Sequence, residues 1–133
     1  MNHKYVELKL NVNTYDIDIA GHVNNIAYVR WFEELRIKLF NTYINLQDLL
    51  LNNLYLVVIS TDICYKKSLK LFDEPVGIIS IECYNHGIIT LKFEIKNNEK
   101  IAAHGIQKCV LMNLKTSKMD KEKIKSILEN IKN

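Results

Sequence analysis

Between Tyr5 and Val12 the chain alternates, with Val6, Leu8, Leu10 and Val12 apolar and Glu7, Lys9 and Asn11 between them. A period of two marks a half-buried strand. From Ile26 to about Tyr43 the period changes: Tyr28, Trp31, Phe32, Leu35 and Leu39 recur at steps of three and four, while Ala27, Val29, Ile37 and Phe40 fill other faces. A helix apolar over most of its circumference must be covered on most sides. At ~1.5 Å per residue it is roughly 25 Å long, enough to cross a small domain. Asn24 or Asn25 is its natural N-cap, and Asn45 to Asn53 reads as a short helix or loop.

The remainder is rich in strands. Leu54 to Tyr65 is one apolar stretch, extended by Lys66, Lys67 and Ser68, and Val76 to Tyr84 follows the only proline, Pro75. Asn85-His86-Gly87 is a hairpin turn. Thr90 to Lys96 alternates again through Leu91, Phe93 and Ile95; Asn97 to Lys100 turns the chain, and Ile101 to Leu114 forms the last strand. In the tail, Ile124, Ile127, Leu128 and Ile131 return to helical spacing. Consecutive strands joined by tight turns pair antiparallel. One five-stranded sheet wrapped around one central helix, an α+β architecture, accounts for a helix that is apolar nearly all round.

Composition narrows this picture. The 133 residues suit a single domain, 48% hydrophobic and 25% charged, as in ordinary globular chains. A formal charge of +3 does not argue for nucleic acid. Lys115, Lys118, Lys121, Lys123, Lys125 and Lys132 crowd the tail, where a solvated helix face accounts for them. Cys64, Cys83 and Cys109 each lie in an apolar run without the spacing of a metal site, so they read as buried reduced thiols. The N-terminal MNHKYVELKL has no apolar signal region, and no apolar run is long enough to span a bilayer. The expectation is a cytoplasmic protein with no membrane segment, no metal and no cofactor.

The candidate chemistry lies between the first strand and the helix. Asp16 to Ile26 packs two carboxylates, a glycine, a histidine and two asparagines into eleven residues. The helix start that follows offers unpaired N–H groups and a partial positive charge, which suit an anion. Gly21 points to a backbone conformation closed to other residues, or to close ligand approach. Glu33 and Glu34 suggest one inward carboxylate paired with Arg36. His104 reads as a histidine satisfied within its strand, and Asp16 as a solvated or structural carboxylate.

The run Asp18-x-x-Gly21-His22-Val23-Asn24-Asn25-x-x-Tyr28, continuing through Trp31-Phe32-Glu33-Glu34 to Arg36, resembles the motif of the hot-dog fold acyl-CoA thioesterases. The match is to their 4-hydroxybenzoyl-CoA thioesterase-like family, in the branch of bacterial long-chain acyl-CoA thioesterases. The similarity extends to Tyr65-Lys66-Lys67-Ser68, to Asp73 and to Leu114 through Lys118. Ser68 replaces a proline usual in the family. Ala20 stands where acyl-carrier-protein thioesterases carry asparagine, which favours the acyl-CoA reading.

The resemblance implies hydrolysis of an acyl-CoA to acid and CoA, with Asp18 as general base or nucleophile and the backbone N–H of Asn25 as oxyanion donor. His22 then either orients Asp18 or water, or holds the turn through the backbone. Gly21, Asn24 and Tyr28 are implied to line the substrate, and Lys66 and Lys67 to meet the phosphates of CoA. A homodimer joined edge to edge, pairing again into a tetramer, would place the site at a subunit interface. The alternatives are the same reaction on an acyl carrier protein, and a non-catalytic acyl-CoA binding module.

Overall fold

The computed structural model describes residues 5–132; Met1–Lys4, where the N-terminal signal reading begins, lie outside the described residues. Strand β1 (Tyr5–Lys9) leads through a 3-10 turn (Thr14–Asp16) into helix α1 (Asn25–Tyr43) and short helix α2 (Leu46–Leu51). Four long strands follow: β2 (Leu54–Tyr65), β3 (Val76–Asn85), β4 (Ile88–Asn97) and β5 (Lys100–Asn113). A two-residue strand β6 (Lys118–Met119) and helix α3 (Lys121–Lys132) close the chain.

The sheet runs β1-β3-β4-β5-β2, with every described pairing antiparallel, and β6 adds to β5. The five expected strands are present, and β6 is an unforeseen sixth. Two residues are too few to leave a period-two signal. β1 ends at Lys9 rather than Val12, yet the Leu10 N–H still reaches the Pro75 carbonyl at 2.9 Å. His86 and Gly87, with φ of 52° and 86°, form the two-residue loop of the β3–β4 hairpin.

Helix α1 lies on the concave face. Ala27, Tyr28, Trp31, Phe32, Leu35, Leu39 and Phe40 are its buried side chains, and they meet Ile79, Ile89, Leu91, Phe93 and Ile95 from the sheet in one core. Each large apolar side chain removed from water contributes about 1.5–3 kcal/mol. Phe32 stacks on Phe93 with ring centroids 4.1 Å apart. A Cβ at Gly105 would stand 2.7 Å from the Phe32 ring and 2.7 Å from the Asp62 carbonyl oxygen. That glycine lets α1 approach the sheet. Helix α3 buries Ile124, Ile127, Leu128 and Ile131 and packs on α1 and β5.

This is the hot-dog arrangement, and three expectations within it are corrected. The cover on α1 is incomplete: Ile26, Val29 and Ile37 are 62%, 47% and 43% exposed. Of the cysteines only Cys109 is buried, because Cys64 and Cys83 fall on solvent-facing strand positions. Arg36 takes no glutamate partner among the described residues; its Nη1 donates to Gln107 Oε1 at 2.8 Å, while Glu33 and Glu34 face outward. Among the described residues no helix is long and apolar enough to cross a membrane.

Candidate functional site

The polar cluster folds into a closed loop because Asp18 hydrogen-bonds it shut. Its Oδ1 accepts the Ala20 N–H at 2.9 Å and the His22 N–H at 3.1 Å. The Asp18 N–H donates to the His22 carbonyl at 2.8 Å, and the Gly21 N–H to the Asp18 carbonyl at 3.0 Å. Ile17 and Val23 bridge antiparallel at the loop's neck. Gly21 has φ of +81° with open space around its missing Cβ, so its conformation, not crowding, is what requires glycine. Oδ2 of Asp18 accepts no described hydrogen bond, and the residue is exposed.

The loop delivers the chain to the start of α1. Asn24 is the N-cap: its Oδ1 accepts the Ala27 N–H at 3.0 Å, and its own N–H donates to the Asp16 carbonyl at 2.7 Å. Asn25 is the first helical residue, and no described hydrogen bond uses its N–H. Such first-turn donors lack intrahelical partners by construction. The His22 backbone holds the turn, and its imidazole makes no described hydrogen bond to Asp18.

Asp16 proves structural and not solvated. It is 2% exposed, and its Oδ2 accepts the Asn13 backbone and side-chain N–H groups at 2.9 and 3.3 Å. Arg30 reaches its Oδ1 at 3.5 Å. This pair pins the 3-10 turn to the first turns of α1.

Two contacts gather the remaining candidates. The Val23 N–H donates to the Leu69 carbonyl at 2.8 Å, tying the loop to the segment after β2. Tyr28 meets Tyr65 edge to face, ring centroids 5.0 Å apart. Burial pushes the Tyr28 phenol up to about 12, with electrostatic help from Tyr65. Lys66 and Lys67 follow Tyr65 directly, both backbone N–H groups donating to the Ala102 carbonyl at 2.8 and 3.0 Å, with their side chains exposed. Asp18, Gly21, His22, Asn24 and Asn25 thus share one loop and helix start, Tyr28 lies one turn on, and the two lysines begin the strand exit beside it. His104 is half-buried on β5, opposite Glu94 and Cys64.

Sequence reasoning missed Tyr65, Leu69 and Gln107. Tyr65 had a signal, since it opens the Tyr-Lys-Lys-Ser run. Leu69 enters through its carbonyl and Gln107 through a cross-element hydrogen bond, neither of which has a local pattern. Among the described residues no group of histidine, cysteine and carboxylate side chains is placed to hold a metal ion.

A family profile described as thioesterase-like superfamily matches residues 12–132. Long-chain acyl-CoA thioesterase FadM of Escherichia coli (strain K12) is 24% identical over 115 residues, covering 85% of this chain and 87% of that protein. The DHNA-CoA thioesterase of Staphylococcus aureus superposes with a TM-score of 0.88 at 18% identity, covering 96% of this chain and 91% of the other. A thioesterase from Thermus thermophilus, complexed with coenzyme A and Zn, gives 0.80 at 22% identity, covering 94% and 90%.

Proposed function

Because the chain belongs to the thioesterase-like superfamily, and so is a thioester hydrolase, we propose that it cleaves acyl-CoA thioesters at the Asp18 loop. The observation that carries this reading is the Asp18 carboxylate, fixed through Oδ1 by two backbone N–H groups while Oδ2 accepts no hydrogen bond among the described residues. A base held on one oxygen and open on the other has a defined direction in which to accept a proton.

In the reaction, a water oxygen attacks the thioester carbonyl carbon as its proton passes to Asp18. The carbonyl oxygen gathers negative charge and accepts the Asn25 N–H, strengthened by the positive end of α1. Collapse breaks the C–S bond, and the CoA sulfur leaves with the proton that Asp18 returns. Direct attack by Asp18 Oδ2 uses the same geometry through an acyl anhydride that water then opens. His22 keeps the loop in register, and Asn24 holds the helix start.

Lys66 and Lys67, exposed where β2 ends beside Tyr28, suit the phosphates of CoA through charge-assisted contacts. The S. aureus and T. thermophilus proteins, named for CoA-ester hydrolysis and for bound CoA, support a CoA ester as the donor. A homodimer would cover the long β2 edge and the open face of α1, since an unpaired apolar edge is a template for pairing.

The experiment is release of free thiol from short, medium, long-chain and aromatic acyl-CoAs by wild type and Asp18→Asn. Turnover lost in the variant supports the assignment, whereas turnover retained moves the chemistry away from Asp18. Saturable binding with no thiol released from any ester would instead make the chain a binding module.

A further inference from the structure

Where β2 leaves the sheet, a cleft of about 210 Å³ opens beside the β4–β5 turn. Leu69 and Ala102, both buried, line it together with Lys67, Ser68, Asn98 and Lys100, all exposed, and the half-buried Asn97. Backbone contacts fix both sides. The Ala102 carbonyl accepts the Lys66 and Lys67 N–H groups at 2.8 and 3.0 Å, which holds the chain leaving β2 against the start of β5. Asn98 and Glu99, with φ of 51° and 67°, form a two-residue hairpin loop flanked by the pair Asn97 and Lys100. Lys67 and Lys100 thus reach one cleft from separate segments of the chain.

The lining is chemically one-sided. It offers two ammonium groups, a hydroxyl and two carboxamides, and no carboxylate; Glu99, exposed in the turn, is not part of it. Two like charges at one cleft repel each other. An anion with several oxygens relieves that repulsion and takes charge-assisted hydrogen bonds from both, as a phosphate group does. The cleft also adjoins the candidate chemistry. The Leu69 carbonyl accepts the Val23 N–H at 2.8 Å, and Val23 bridges to Ile17, the neighbour of Asp18. We propose that the cleft is a phosphate subsite for the nucleotide end of the thioester donor, with Lys100 as its specificity-determining residue. It selects a donor that carries a nucleotide over the same acyl group on a bare pantetheine arm. The inference rests on the acyl-CoA reading above and adds to it the residues that choose the donor.

The test measures kcat/KM for one acyl group carried on CoA, on dephospho-CoA and on pantetheine, with wild type, Lys100→Ala and Lys100→Arg. Lys100 is exposed, so both variants keep the core intact. The wild-type preference for the CoA ester over the pantetheine ester is expected to fall about fivefold in Lys100→Ala, the upper weight of one solvent-open ion pair. Lys100→Arg restores it, and added salt narrows the difference by screening. A preference unchanged in Lys100→Ala overturns the inference. The dephospho-CoA ester tells which phosphate is held. If its preference over the pantetheine ester is insensitive to Lys100, the contact is to the 3′-phosphate; if it falls as well, the contact is to the diphosphate. Either result upholds the subsite.

A binding arm separates this from failure of the hydrolytic reading. Calorimetry with CoA and with pantetheine needs no turnover. Tighter binding of CoA, weakened in Lys100→Ala, upholds the subsite even if no ester is cleaved. Equal affinity of wild type and Lys100→Ala for CoA overturns it even if Asp18 proves catalytic.

Discussion

The carboxylates of Asp16 and Asp18, separated in sequence only by Ile17, occupy opposite environments. Asp16 is buried against Asn13 and Arg30, while Asp18 is exposed and holds its own loop shut with one oxygen. The same chemical group therefore serves packing at one position and is open to solvent at the other. Replacing each tests that division.

Asp16→Ala removes the buried acceptor of the part-buried Asn13 N–H and the partner of Arg30. Stranding such a group costs about 1–3 kcal/mol. Thermal and denaturant unfolding should show that loss, and a stability equal to wild type would contradict a structural role for Asp16.

Asp18→Asn keeps an oxygen for the Ala20 and His22 N–H groups but cannot accept the proton of water. Stability should stay within about 0.5 kcal/mol of wild type, while kcat should fall by on the order of 10²–10⁴, the usual contribution of a positioned acid or base. A parallel loss of stability and activity would mean the loop, and not the base, had been removed.

Gly105→Ala sets a methyl group against the Asp62 carbonyl and the Phe32 ring, both 2.7 Å from the Cβ position. The carbonyl belongs to the β2 backbone and Phe32 is stacked on Phe93, so neither gives way readily. Overpacking of this kind costs about 1–3 kcal/mol. The denaturant midpoint of the variant checks it.

Alkaline pH should destabilise the fold through two buried acids. Burial raises the Cys109 thiol from 9.0 to about 11, against a lowering influence of Arg36, and raises the Tyr28 phenol from 10.0 to about 12. The unfolded chain releases both protons first. Stability is therefore intact below pH 9, falls between pH 9 and 11 through Cys109, and falls between pH 10 and 12 through Tyr28. Tyr28→Phe should flatten the upper part of that decline and Cys109→Ala the lower part. The slope of stability against pH is the readout.

Ile59 stands half-exposed on the β2 edge, where the register with β5 shifts between Val58 and Ser60. If two copies pair along β2, a lysine there should blunt the edge. Sedimentation should then give the mass of a single chain for Ile59→Lys and a multiple of it for wild type. A wild-type mass of one chain would end the edge-pairing proposal.

Hydrophobic period and turn residues determined the long elements, because strand and helix spacing are local and each apolar stripe must find cover. The Leu91, Phe93 and Ile95 face of β4 and the Tyr28 to Leu39 face of α1 were legible for that reason, as were the turn at His86-Gly87 and the polar run from Asp18 to Asn25. Tertiary structure decided what depends on elements meeting. Asp16 turns inward because Arg30 and Asn13 converge on it, and Arg36 chooses Gln107 because β5 brings that amide beneath α1. Gly105 is required by the Phe32 ring above it, and Ile26, Val29 and Ile37 stay open because no described element of this chain lies over them. Such choices come from distances between residues far apart in the chain, and no local pattern encodes a distance of that kind.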